Sequence, residues 1–148
     1  MLSVIIDART EAQALPALLA QLTAGAVEGL VRQVMIVADP EDLWIADLCE
    51  ESGADAHASL PEAAAAARAD WLLVLPSGLR LRDGWIGSLS AHLLRQAGPA
   101  MVLGLAPGRW LRPGPFGLLV ERGGRLDGQS ADLHGLRRQL GRRLDRIG

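Results

Sequence analysis

Trp71-Leu72-Leu73-Val74-Leu75 is an unbroken apolar run that stops abruptly at Pro76-Ser77-Gly78. With no polar residue in alternation, such a run predicts a strand buried on both faces of a sheet. Proline removes a backbone donor and glycine lets the chain turn, so a loop should begin where the run ends. Upstream, Leu2 to Ile6 and Val34 to Val37 read as two more strands. Between them Leu15, Leu18, Leu19 and Leu22 form one helical stripe. That helix should start between Thr10 and Leu15, through a Thr10/Gln13 capping box or with Pro16 in its first turn, and Gly25 and Gly29 should mark its exit. Asp39-Pro40-Glu41-Asp42 supplies turn and N-cap chemistry for a helix carrying Leu43, Ile45, Ala46 and Leu48, with Gly53 as its stop. After an extended piece near Ala54 to Ala58, Ser59 and Glu62 have capping-box spacing, with Pro61 opening the alanine run.

Downstream, Asp83 is expected to cap a helix carrying Trp85, Ile86, Leu89, Leu93 and Leu94 that closes at Gly98-Pro99. Met101 to Leu105 and Phe116 to Val120 read as strands on either side of a Gly- and Pro-rich loop, and a last helix should run from about Leu133 to Ile147. Strands alternating with helices predict an α/β fold, a mainly parallel sheet with helices on both faces, over a single domain spanning residues 1–148. Ligands in such sheets bind beyond the carboxyl ends of the strands. The stretches to search are therefore Asp7 to Glu11, Ala38 to Asp42 and Pro76 to Leu79.

Composition narrows the function classes. Hydrophobic residues make up 49% of the chain but aromatics only 3%, so the core should be aliphatic and stacking surfaces for bases scarce. A net charge of −2 and a pI near 5.9 argue against a nucleic-acid partner. All fifteen basic residues are arginine, a bias of the kind GC-rich coding produces. With Cys49 as the one cysteine, an intramolecular disulfide is impossible. The N-terminus lacks a basic segment before its apolar run, and no apolar stretch approaches the roughly 20 residues that span a bilayer. A cytoplasmic protein is expected.

Three segments, in order and with their spacing kept, resemble glycosyltransferase family 2. They are Ser3-Val4-Ile5-Ile6-Asp7-Ala8-Arg9-Thr10-Glu11, then Ile36-Val37-Ala38-Asp39, then Ala67-Arg68-Ala69-Asp70-Trp71-Leu72-Leu73-Val74-Leu75-Pro76-Ser77-Gly78. Leu81-Arg82-Asp83-Gly84-Trp85 resembles the segment that follows in that family, and the likeness covers about the first 95 residues. The resemblance implies the GT-A, Rossmann-like fold, with Glu11 and Asp39 beside the base and ribose of a nucleotide diphosphate sugar. A carboxylate at a strand end is suited to accept hydrogen bonds from such groups; without the resemblance, each reads first as a residue of a helix start. Arg68 and Asp70 match the family pattern, which makes Arg68 a candidate contact to base or diphosphate; the alternative is a local Arg68–Asp70 pair. Arg80 and Arg82 flank the loop and are candidates for offsetting the diphosphate charge, or else plain surface arginines.

The chain departs from the family at Pro76-Ser77-Gly78, where family members carry the Asp-x-Asp that holds a divalent cation. Pro, Ser and Gly offer no carboxylate, and hard cations bind through oxygen anions, so no metal or other cofactor is expected. Ala38 also replaces the first acid of the family's pair, Thr10 stands for its Asn, and Asp7 for its Pro. Two functions follow: sugar transfer from a nucleotide sugar with altered or absent metal use, or a non-catalytic module that binds a nucleotide or a partner. Nucleotidyl transfer fits less well, because the Gly-rich basic loop expected at its start is missing.

Other candidates carry less. Glu121 and Asp127 lie where such enzymes place a general base, but no motif assigns either, and Glu121-Arg122-Gly123-Gly124 reads as a hairpin turn. His57, His92 and His134 are too dispersed for metal-ligand spacing. Trp44, Trp71 and Trp85 and Cys49 read as core, whereas Trp110, between Arg109 and Arg112, is placed to meet a ligand or partner. In the 133–147 segment Leu133, Leu136, Leu140, Leu144 and Ile147 form a stripe among Arg137, Arg138, Arg142, Arg143 and Arg146. That amphipathic pattern suits packing on the domain, peripheral attachment to the inner face of a membrane, or an acidic protein partner.

Overall fold

The computed structural model describes residues 1–105, 115–123, 132–141 and 144–148. Trp110, Arg109, Arg112, Asp127, Arg142 and Arg143 lie outside them. The strands are β1 (Leu2–Asp7), β2 (Val31–Val37), β3 (Asp55–His57), β4 (Trp71–Pro76), β5 (Arg80–Leu81), β6 (Ala100–Leu105), β7 (Phe116–Glu121) and β8 (Asp145–Ile147). The helices are α1 (Leu15–Val27), α2 (Leu43–Ser52), α3 (Leu60–Ala66), α4 (Trp85–Leu94) and α5 (Leu133–Leu140).

One sheet runs in the order β3-β2-β1-β4-β7-β6-β5, with β8 also paired to β6. β1 to β4 are mutually parallel, β7 runs against both β4 and β6, β5 runs against β6, and β8 runs with β6. The sheet is therefore mainly parallel, as expected. Alternation sorts the apolar side chains between two layers. Val4, Ile6, Leu73 and Leu75 join Leu15, Leu18, Ile45 and Leu89 on the α1, α2 and α4 face. Ile5, Leu72 and Val74 join Leu60, Ala63, Leu133 and Leu136 on the α3 and α5 face. β1 lies between β2 and β4, so the chain leaves it in opposite directions on its two sides, which opens a crevice at the carboxyl ends of β1 and β4. Asp7 pairs with Val37 on one side and Pro76 on the other.

Helix ends follow local chemistry where a side chain reaches the backbone. The Asp42 carboxylate accepts from Trp44 N and Ile45 N at 3.0 and 3.3 Å, and Gly53 ends α2 with φ 76°. Ser59 accepts from Glu62 N at 3.2 Å, while the Glu62 carboxylate accepts from Ala58 N at 3.1 Å.

Four expectations are corrected. Thr10 and Gln13 form no capping box: a 3-10 turn over Ala12–Ala14 leads into α1, and Pro16 sits in the first turn. Gly25 is not an exit but a contact, 2.5 Å being all that a Cβ there would have from the Trp85 ring, and α1 continues to Val27. Gly84 rather than Asp83 caps α4, without a side-chain bond. The 133–147 helix stops at Leu140. Leu144 keeps to the layer of Leu133 and Leu136, but Ile147 is buried in the opposite layer, which no single helical stripe can reach. Gly141, at φ 88°, turns the chain out of the helix, and β8 then pairs along β6. Among the described residues no helix is long and apolar enough to cross a membrane.

Candidate nucleotide site

The carboxyl edge of β1, β2 and β4 gathers Asp7, Glu11, Asp39 and the Ser77-Gly78 turn. Ser77 anchors it. Its hydroxyl, in a residue only 1% exposed, donates to Thr10 O at 2.6 Å with Glu11 O at 3.0 Å as a second acceptor, and its N–H donates to Asp7 O at 3.1 Å. The turn after β4 is thereby tied to the turn after β1. Glu11 adopts the left-handed region at φ 55°, unusual for a residue with a Cβ. Its carboxylate lies over Gly78, where a Cβ would fall 3.0 Å from Glu11 Cδ and still closer to Oε2. A Cβ at 78 would have to push aside the Glu11 carboxylate, the far end of a flexible side chain.

Asp7 forms a two-point ion pair with Arg9: Nε donates to Oδ1 at 2.9 Å and Nη2 to Oδ2 at 2.7 Å, while Arg9 N adds 3.2 Å to Oδ1. Burial pushes the Asp7 carboxyl up, but the hydrogen bonds and charge of Arg9 together outweigh it and hold the group below the usual carboxylate range. The same hydrogen bonds raise Arg9, with Asp132 adding its charge. Asp39 follows β2, where it accepts from Glu41 N at 2.9 Å. His57 ends the neighbouring β3, its ring mostly buried, with Nδ1 3.6 Å from a Glu62 oxygen and neither ring nitrogen hydrogen-bonded among the described residues.

Arg80 reaches back to this edge. Its Nη1 donates to Leu79 O at 2.9 Å and lies 3.5 Å from Ser77 O. The segment is held from the far side by Gln21 of α1, whose amide accepts from Leu81 N at 2.9 Å and donates to Leu81 O at 3.0 Å, as a neighbouring strand would. Arg82 stands one residue further along, its Nε buried and without a partner among the described residues.

Arg68 and Asp70 do not lie at this edge. They precede β4, so its six residues separate them from Ser77 by about 20 Å of strand, beyond the reach of one side chain. No ion pair links the two. Instead the backbone there is bolted to the amino edge: Arg68 N donates to Gln33 Oε1 at 3.0 Å, Ala69 N to the buried Ser3 hydroxyl at 3.1 Å, and Arg122 N to Asp70 O at 2.7 Å. Glu121 pairs with Trp71 at this same amino end and is equally remote. Cys49 is half-buried, and burial, with Asp55 nearby, raises its thiol, which suppresses thiolate reactivity.

Sequence reasoning missed Arg9, Gln21, Ser77 as an anchor, and His57 as an edge residue. Only Arg9 had a local signal, its two-residue spacing from Asp7. Pro76, Ser77 and Gly78 present no carboxylate of their own, Asp7 is paired with Arg9, and the Glu11 carboxylate lies over Gly78. Among the described residues no three His, Cys, Asp or Glu side chains converge as metal ligands.

No protein-family model matches the chain, and no curated protein sequence matches it. Solved structures do. A 4-diphosphocytidyl-2C-methyl-D-erythritol synthase superposes with a TM-score of 0.63 at 16% identity, over 99% of this chain and 88% of that one. The Mycobacterium tuberculosis glucosyl-3-phosphoglycerate synthase, solved with Mn2+, uridine diphosphate and glucosyl-3-phosphoglycerate, gives 0.59 at 18% identity, over 83% and 57%. Mannosyl-3-phosphoglycerate synthase from Rubrobacter xylanophilus gives 0.54 at 15%, over 69% and 38%. The fold is GT-A-like. The chain spans little more than half the length of the glucosyl synthase and less of the mannosyl synthase.

Proposed function

We propose that residues 1–148 act as one glycosyltransferase-like domain that takes a nucleotide diphosphate sugar at the carboxyl edge of β1, β2 and β4, and transfers the sugar without a carboxylate-held metal. The observation that carries this reading is the convergence of Glu11 and the Ser77-Gly78 turn at the crevice between β1 and β4, with Asp39 on the adjoining strand end. Glu11 and Asp39 would accept hydrogen bonds from base N–H and ribose hydroxyl groups. The diphosphate would meet Arg80, whose guanidinium has five N–H donors and spends only Nη1 on the loop carbonyls among the described residues, and behind it Arg82. Arg68 and Asp70 are left to the scaffold. A fold neighbour solved with uridine diphosphate and with UDP-glucose, and another named as a 4-diphosphocytidyl-2C-methyl-D-erythritol synthase, support the ligand class.

A second reading, a non-catalytic nucleotide- or partner-binding module, is favoured by one feature: the Glu11 carboxylate covers Gly78, so an anion already stands beside the turn where a diphosphate must pass. Calorimetric titration with uridine, guanosine and thymidine diphosphates, in manganese and in chelator, separates the cases. Equal affinity in both, weakened by Glu11→Gln and by Arg80→Ala, supports the site. A manganese-dependent gain of tenfold, about 1.4 kcal/mol, overturns the metal-free part. Absence of binding under both conditions removes the nucleotide site. Binding without sugar transfer or donor hydrolysis leaves the module.

A further inference from the structure

A cavity of about 430 Å³ opens between α5 and the β6 and β8 part of the sheet. It is lined by His134, Arg137 and Arg138 of α5, Arg146 of β8, and the apolar Met101 and Leu144. His134, Arg137 and Arg138 are three and four residues apart and so share one helix face. Arg146 pairs in register with Met101 and brings the third guanidinium from the opposite wall. Phe116 fixes two of the four: the Arg137 guanidinium stacks 4.9 Å above its ring, and the His134 ring meets it edge-on at 5.4 Å and 82°.

Among the described residues no acidic side chain lines the cavity and no carboxylate lies within ion-pair distance of Arg137, Arg138 or Arg146. Three like charges around one concavity repel, and walls of one sign focus a field that an anion relieves. The planar guanidinium matches phosphate oxygens two at a time. The volume lies in the range of small-ligand sites and exceeds what a bare phosphate fills, while Met101 and Leu144 add apolar wall. Asp132, the N-cap of α5, is near enough to Arg9 to add its charge there, but the cavity is lined from later in α5 and from β6 and β8, and none of Asp7, Glu11, Asp39 or Ser77 lines it.

We propose that this cavity binds a phosphate-bearing ligand through Arg137, Arg138 and Arg146, with its organic portion against Met101 and Leu144. The phosphate comes either from a soluble ester or from a lipid headgroup. The test uses the full chain with phenyl phosphate, inorganic phosphate, and phosphatidylcholine vesicles with or without phosphatidic acid. Phenyl phosphate should bind more tightly than inorganic phosphate, and Arg138→Gln with Arg146→Gln should weaken it at least tenfold. Both residues are exposed, so the double variant should fold. Arg80→Ala, in the nucleotide site, and Arg32→Gln, an exposed arginine elsewhere, should leave it unchanged. Binding only to phosphatidic acid vesicles, lost in the same double variant, supports the proposal and assigns the phosphate to a lipid. The proposal is overturned if no probe binds, or if Arg32→Gln or Arg80→Ala weakens binding as much as the double variant does.

Discussion

Replacing Ser77 with alanine removes one oxygen from the junction on which the candidate site is built. The hydroxyl is buried and donates to Thr10 O at 2.6 Å, with Glu11 O at 3.0 Å. A typical hydrogen bond contributes about 0.5–1.5 kcal/mol net, and because Thr10 and Glu11 are exposed residues their carbonyls can turn to water when the bond is lost. Glu11 adds to this, because its left-handed backbone at φ 55° is itself unfavourable and is held in place from Ser77. For a chain of this length the loss corresponds to roughly 2–5 °C in Tm. Urea unfolding and thermal scans of Ser77→Ala beside Ser88→Ala, an exposed position on α4, make the comparison. The control should stay within about 0.5 kcal/mol of the wild type. Because the lost bond also positions Glu11, nucleotide diphosphate affinity of the folded Ser77→Ala protein should fall as well. A Ser77→Ala protein as stable as the control would show that this hydroxyl does not tie the two turns together, and the reasoning would fail.

Two glycine replacements should move stability in opposite directions. A Cβ at Gly117 of β7 meets Leu75 Cδ2 and lies 2.9 Å from the fixed carbonyl of Val74, so Gly117→Ala should cost about 1–3 kcal/mol, whereas Gly87, in α4 with open space around it, should gain up to about 1 kcal/mol as alanine; urea midpoints moving the same way for both would contradict the packing. For Asp7, whose carboxyl is held below its ordinary value, the charged form favours the fold, so its contribution is present above about pH 4 and lost as pH falls through the lowered value. Asp7→Asn should therefore cost about 0.5–1 kcal/mol at neutral pH, a modest figure because Arg9 is 38% exposed. The gap between variant and wild type should close in acid, and a gap independent of pH would assign the loss to packing instead.

How much was legible depended on whether a residue's role was local. Trp71 to Leu75 announced a doubly buried strand by composition, and Asp42, Gly53 and Ser59 announced helix ends through bonds reaching only a few residues along the chain. The C-terminal segment misled for the complementary reason. Leu133, Leu136, Leu140 and Leu144 do share a layer, so the stripe was real, but only the free edge of β6 decides that the chain beyond Gly141 becomes a strand. Gln21 likewise serves Leu81, a residue far away in the chain, and nothing near it signals that.

The three segments that resemble family 2 glycosyltransferases are not equal as evidence about a site. Ala67 to Asp70 keeps its pattern where Gln33, Ser3 and Arg122 grip the backbone. Those contacts need a tight turn and a buried Ala69 N–H, and neither the Arg68 nor the Asp70 side chain reaches the carboxyl edge. Likeness there reports the scaffold that delivers β4 into the sheet. The segments ending at Glu11, Asp39 and Gly78 lie at the carboxyl edge of the strands, and where the family this chain resembles has carboxylates the last holds a serine that binds its neighbour's backbone and a glycine that yields to Glu11. In the proposed site, the charge that members of that family offset with a cation would be met by fixed cations, and Arg80 is the guanidinium held at that turn. Removing it is therefore the more discriminating test: Arg80→Ala should abolish diphosphate affinity while leaving nucleoside recognition by Glu11 and Asp39, whereas Arg68→Ala should change neither.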